Sequence, residues 1–274
     1  MTMPLEVVFA RHGESEANVV QKRDNHGLDP EVARQILARP DWQQRLTLKG
    51  IEQAKRAKEW IDRNMGAIAS FDALYVSPFI RCRETASYMA GVALAGWTME
   101  DRVAERSWGV YGKRSREDQR MLFPMTYEEK RANPFYAILD GGENMPMVSG
   151  RYRDFQGTLH REQEGKRVFV VCHGDFMNNV RYNIERMTPE AWEDLDRDPT
   201  YAFKNCMLLN YTRKNPNDPD DIREKITWRR YIDTQNVDES PDGGEWAEIP
   251  KRQRYTGYEL LEQAERYPRL IPAD

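Results

Sequence analysis

The sequence predicts an α/β layered fold with a mostly parallel central sheet. Short apolar runs dense in Val, Leu and Phe recur at Leu5–Ala10, Asp72–Val76, Arg167–Cys172 and Met207–Tyr211. Segments with apolar residues at helical spacing separate them. Strands that alternate with helices bury both faces of a largely parallel sheet, whose ligands sit beyond the carboxyl ends of the strands.

The elements follow in order. Leu5–Ala10 reads as a buried strand. Residues 19–46 carry few apolar positions and read as an insertion or lid beside it. Thr47 is a good N-cap, and Ile51, Ala54, Ala57, Ile61 and Met65 then repeat at helical spacing. After the strand Asp72–Val76, Ser77-Pro78 reads as a cap followed by proline at the first helical position, with Phe79, Cys82, Ala86 and Met89 on one face. Val148, Tyr152, Phe155 and Leu159 form a further stripe, and Phe176, Val180 and Ile184 another, opened by Asp175. Residues 213–256 are polar and rich in Asn, Asp, Pro and Gly, so loops are expected there, with a last helix at 257–266. No repeat or linker divides the chain. The expectation is one domain over 1–274, with the 19–46 lid and a polar C-terminal extension over 213–274.

Composition removes several classes of function. Against 41 Lys and Arg stand 45 Asp and Glu, a net charge of −4, which argues against a protein that coats nucleic acid or an anionic membrane. The longest apolar runs, such as Val168–Cys172, are far too short to span a bilayer, and no signal peptide is visible. Three cysteines, Cys82, Cys172 and Cys206, do not make a disulfide framework in 274 residues, so a reduced, cytoplasmic protein is expected. No cysteine has an arginine six positions later. The four histidines, His12, His26, His160 and His173, lack metal-ligand spacing, and no dinucleotide fingerprint, nucleophile elbow or Walker motif occurs. Neither a metal nor a cofactor is expected.

Arg11-His12-Gly13-Glu14-Ser15-Glu16-Ala17-Asn18 begins at the end of the first strand. Arg matches phosphate with a planar fork, and a neutral imidazole is a nucleophile when its other nitrogen is held as N–H. An isolated Arg-His-Gly is more often a solvated loop. However, Cys172-His173-Gly174-Asp175 repeats the arrangement at another strand end, and Ser77-Pro78-Phe79-Ile80-Arg81 places an arginine at a third. Each of these alone has a bland explanation. Together they suggest three strand ends gathered over one oxyanion.

These residues resemble the histidine phosphatase superfamily, the phosphoglycerate-mutase-like group. The resemblance covers roughly residues 5–212: Arg-His-Gly-Glu-Ser-x-x-Asn at Arg11–Asn18, Leu-Thr-x-x-Gly-x-x-Gln-Ala at Leu46–Ala54, Ser-Pro-x-x-Arg at Ser77–Arg81, Glu105-Arg106-Ser107-Trp108-Gly109, Gly-Gly-Glu at Gly141–Glu143, and His173-Gly174. It implies a three-layer αβα sandwich and a covalent, metal-independent mechanism without a cofactor. His12 would attack phosphorus. Arg11, Arg81, Asn18 and His173 would hold the phosphoryl oxygens, and Glu105 would be the proton donor. The substrate class would be a small-molecule phosphomonoester; no nucleic acid or membrane partner is expected, and a homodimer is compatible with the sequence but shown by no feature of it. The tandem Arg-Arg that phosphoglycerate mutases carry before the second His is missing here, since Arg229-Arg230 lies beyond His173. That favours a phosphatase over the alternatives, a phosphoglycerate-type mutase or a non-catalytic phosphate-binding protein. Lys113, Arg114 and Arg116, and Lys22, Arg23 and His26 of the lid, are candidate pocket cations. Trp42, Trp108 and Tyr111 are candidate contacts to a leaving group.

Overall fold

A computed structural model describes residues 2–21, 28–91, 96–112, 114 and 116–271. Among the described residues nine strands form: β1 (Glu6–Arg11), β2 (Ala73–Val76), β3 (Thr98–Met99), β4 (Arg167–Cys172), β5 (Leu208–Thr212), β6 (Lys214–Asn215), β7 (Asp218–Ile222), β8 (Trp228–Ile232) and β9 (Ala247–Glu248). The α-helices among the described residues are α1 (Glu16–Gln21), α2 (Pro30–Ala38), α3 (Leu48–Asn64), α4 (Ile80–Ala90), α5 (Arg116–Leu122), α6 (Pro124–Ala132), α7 (Met145–Glu162), α8 (Gly174–Ile184), α9 (Pro189–Arg197) and α10 (Gly257–Glu265).

Seven strands make one sheet in the order β3-β2-β4-β1-β5-β8-β9. The first four are mutually parallel, while β5, β8 and β9 join antiparallel to their neighbours. Side chains alternate across a strand, and the core divides accordingly. Val7 and Phe9 of β1 and Val168 and Val170 of β4 pack with Val148, Tyr152 and Phe155 of α7 and Phe176 and Val180 of α8. Val8, Ala10, Phe169 and Val171 face the other way, onto Ala54, Ala57 and Ile61 of α3 and Cys82, Ala86 and Met89 of α4. The result is a three-layer αβα arrangement, as expected. Among the described residues no helix is long and apolar enough to cross a membrane.

Local signals explain most boundaries. Thr47 caps α3 by accepting from Gly50 N at 3.0 Å, and Asn144 caps α7 by accepting from Met147 N at 3.0 Å. Three expectations need correction. Ser77-Pro78 does not open the helix, because α4 begins at Ile80 with Phe79 in the cap position; Ser77 bonds His173 instead, at 2.8 Å. The N-cap of α8 is His173, and Asp175 lies in its first turn. The 213–256 stretch is not all loop: it holds the β6–β7 hairpin, β9 and the sheet strand β8. The pattern Trp-Arg-Arg-Tyr-Ile hides β8, because its arginines find partners inside the fold. Arg229 pairs with buried Glu185 at 3.1 Å and with Asp242 at 2.7 Å, and Arg230 lies 4.6 Å from the Trp246 ring centroid.

Candidate active site

Strand register assembles the site. Arg11 pairs with Cys172, and Val76 with Val171, so β1, β2 and β4 end together. His12, Ser77 and His173 therefore follow one another along a single edge. This edge borders a cavity of about 870 Å³ whose lining includes Arg11, His12, Asn18, Arg81 and Glu105. His173 lies just beneath this surface, fully buried, with its ring centroid 5.2 Å from that of His12.

Two glycines shape the first loop. A Cβ on Gly13 would lie 2.4 Å from the Gly50 carbonyl oxygen, and one on Gly50 would lie 2.1 Å from the carbonyl oxygen of Glu14. The start of α3 thus rests directly on the His12 loop, which gives a physical reason for a glycine three residues after the Thr47 cap. Thr85 supports the same loop by accepting from Gly13 N at 3.0 Å.

His12 Nδ1 lies 2.7 Å from the Gly13 carbonyl. A carbonyl only accepts, so Nδ1 carries the proton and Nε2 keeps its lone pair. Arg81 Nε donates to that Nε2 at 3.2 Å. Burial, then the charges of Arg81 and Arg11, hold the His12 pKa well below the usual histidine value, so the ring is neutral at pH 7. Burial and the same arginines also keep His173 neutral. Its Nε2 is 2.8 Å from Ser77 Oγ, and its Nδ1 is 4.0 Å from Glu105 Oε2.

Glu105 Oε1 accepts from the backbone N–H groups of Arg106 at 3.0 Å and Phe176 at 3.3 Å. Such bonds favour the carboxylate, yet burial and the neighbouring charge of Asp175 outweigh them. The Glu105 pKa is raised to about 8, which leaves a carboxylic acid able to donate a proton at neutral pH. Arg11 donates to the Phe203 carbonyl. Arg11 also passes close to Gly174, where a Cβ would meet its Nε at 3.4 Å. Asn18 Oδ1 accepts from Ser15 N at 3.1 Å and from Asn205 Nδ2 at 3.3 Å, and Asn205 also donates to the His12 carbonyl at 3.0 Å.

Farther out, Trp42, Trp108, Tyr111, Arg114 and Lys130 line the cavity. The charges of Arg106 and Lys130 lie over the Trp108 ring, 4.7 and 4.2 Å from its centroid. Lys22, Arg23, His26 and Lys113 lie outside the described residues, as does the side chain of Arg116. Glu143 of the Gly-Gly-Glu step serves as a brace: it binds Arg151 at 2.7 Å and Ser107 N at 2.8 Å. Sequence reasoning passed over Asp41, Asn205 and Thr85. None carries a local signal, since each acts on a residue distant in the chain. Among the described residues no cluster of His, Cys, Asp and Glu could hold a metal ion, and the positive charge around His12 comes from Arg11 and Arg81.

A model of the histidine phosphatase superfamily (branch 1) matches residues 7–204, and the chain belongs to that superfamily. A 2,3-bisphosphoglycerate-dependent phosphoglycerate mutase from Afipia carboxidovorans is 24% identical over 190 residues, which are 68% of this chain and 83% of that protein. The α-ribazole phosphatase of Shigella flexneri superposes with a TM-score of 0.60 at 20% identity, over 81% of this chain and 96% of that one. Phosphoserine phosphatase from Entamoeba histolytica, in complex with 3-phosphoglyceric acid, gives 0.57 at 19% identity, over 76% and 90%. At such identities the structural likeness establishes the fold.

Proposed function

We propose that the protein is a metal-independent phosphomonoesterase that works through a phosphohistidine on His12. The observation that carries the reading is geometric: His12, its Nδ1 on the Gly13 carbonyl and its Nε2 turned to Arg81, shares one cavity with Glu105, whose pKa burial raises. In the first step Nε2 bonds to phosphorus and the phosphorus–oxygen bond to the leaving group breaks. Glu105 gives its proton to the departing oxygen. In the second step water attacks the phosphohistidine, the nitrogen–phosphorus bond breaks, and the Glu105 carboxylate takes the proton from water. Arg11, Arg81 and Asn18 line the cavity and hold the phosphoryl oxygens, with the charge of the two arginines stabilising the transition state, while the buried His173 packs against the His12 ring from beneath.

Hydrolysis is favoured over a mutase activity because Arg229 and Arg230 of β8, the one tandem arginine pair, are held by Glu185, Asp242 and Trp246 and are absent from the cavity wall. The test is brief incubation with a labelled phosphomonoester, followed by recovery of an acid-labile, alkali-stable phosphoprotein. Wild type is expected to label and release phosphate with a chelator present, whereas His12→Ala should do neither. Tight phosphate binding without label would instead identify a binding protein, and rapid interconversion of 2- and 3-phosphoglycerate a mutase.

A further inference from the structure

Asp41 sits in the short turn between α2 and α3, yet it reaches the guanidinium of Arg81. Arg81 Nη1 donates to Asp41 Oδ1 at 3.2 Å and to the Asp41 carbonyl at 2.8 Å, while Nη2 donates to Oδ2 at 3.2 Å. The carboxylate therefore takes the end of the guanidinium fork, a bidentate arrangement that fixes its plane. The side edge of the fork, Nε and the remaining hydrogen of Nη2, is left facing His12 Nε2. Phe79 lies against the same group, its centroid 4.8 Å from Cζ.

The turn that carries Asp41 is itself anchored. Gln44 is buried, and its amide donates to the Ile36 carbonyl at 2.7 Å and the Arg39 carbonyl at 3.2 Å. Arg39 pairs with Glu16 at 2.6 Å, and Leu46 N donates to Glu84 at 2.8 Å, which ties the segment to α1 and α4. Asp41 is thus part of a braced frame around Arg81.

We propose that Asp41 is a positioning residue for phosphoryl transfer: it holds Arg81 end-on so that the side edge of the guanidinium meets the phosphoryl group at His12 Nε2. The proposal rests on the hydrolase reading above. Its substance is that the segment between α2 and α3, from outside the three strand ends, completes the transition-state cradle. A displacement of about 1 Å in such a group costs on the order of 100-fold in rate.

The test compares wild type, Asp41→Ala, Asp41→Asn, Arg81→Lys and the Asp41→Ala/Arg81→Lys double variant. Asp41→Ala is expected to lower kcat by roughly 10- to 100-fold while KM moves less than about threefold. Orthovanadate, which imitates the transition state, should lose at least tenfold in affinity relative to inorganic phosphate. Asp41→Asn keeps one acceptor and should fall between. If Asp41→Ala does not fold, Asp41→Asn bears the whole test. Since Asp41 acts through Arg81, its substitution should add little in the Arg81→Lys background. Independent, multiplying losses in the double variant would overturn the proposal. So would an unchanged kcat in Asp41→Ala, or tenfold tighter phosphate binding with faster turnover, which would make Asp41 a competitor for the oxyanion seat. If wild type hydrolyses no phosphomonoester, the hydrolase reading fails by itself. Asp41 is then judged by the vanadate-to-phosphate affinity ratio, and an unchanged ratio in Asp41→Ala refutes its role.

Discussion

Replacing Glu105 by Gln preserves shape and leaves a carbonyl oxygen to accept from the Arg106 and Phe176 amides, but removes the proton. With the Glu105 pKa raised to about 8, the acid form predominates at pH 7. A positioned acid contributes about 10²–10⁴-fold when an alkoxide leaves, or about 3–5 kcal/mol of barrier. A nitrophenolate leaves without such help. The assay is kcat/KM, mutant over wild type, across phosphomonoesters from alkyl to nitrophenyl. The ratio is expected to fall by at least 100-fold for alkyl phosphates and by less than about tenfold for the activated aryl ester. The aryl ester should also give a burst, because in the proposed mechanism Glu105→Gln lacks the base that activates water. For alkyl esters the wild-type rate should decline as pH rises through about 8, where Glu105 loses its proton. The stability sign is opposite to that of an ordinary ion-paired carboxylate. The folded state holds this proton above the usual glutamate range, so the contribution is full at low pH and is lost as pH climbs toward about 8. Glu105→Gln should therefore gain in Tm relative to wild type at pH 9 but not at pH 4. An equal loss across the whole leaving-group series would refute the reasoning and make Glu105 a structural or binding residue.

Asp175→Asn removes the charge that, after burial, does most to raise the Glu105 pKa; the alkaline limb for alkyl esters should move to lower pH, with a loss of roughly 2–5-fold at pH 8, and an unmoved limb would show that burial alone sets it. Gly50→Ala places a methyl against the Glu14 carbonyl, so despite the better helix propensity of Ala it should destabilise by roughly 1–3 kcal/mol and reduce turnover by shifting the His12 loop; unchanged Tm and kcat together would deny the close contact.

The layered architecture is legible in the amino-acid sequence, because it rests on local information. Val7–Ala10 already carry the continuous apolar run of a strand buried on both faces, and Thr47 and Asn144 mark helix starts through bonds to residues three positions away. The sequence also placed Arg11, His12, Ser77 and His173 at strand ends, so parallel pairing in register had only to bring those ends together. Tertiary structure decided the rest. The protonation of Glu105 depends on burial and on Asp175, 70 positions away in the chain, and the orientation of Arg81 depends on Asp41, 40 positions earlier. Strand β8 was hidden because Arg229 and Arg230 read as solvated until Glu185 and Trp246 are seen beside them. Backbone periodicity and caps are written within a few residues. The partner that fixes a charge is chosen by packing across the whole chain, and spacing along the sequence holds no record of it.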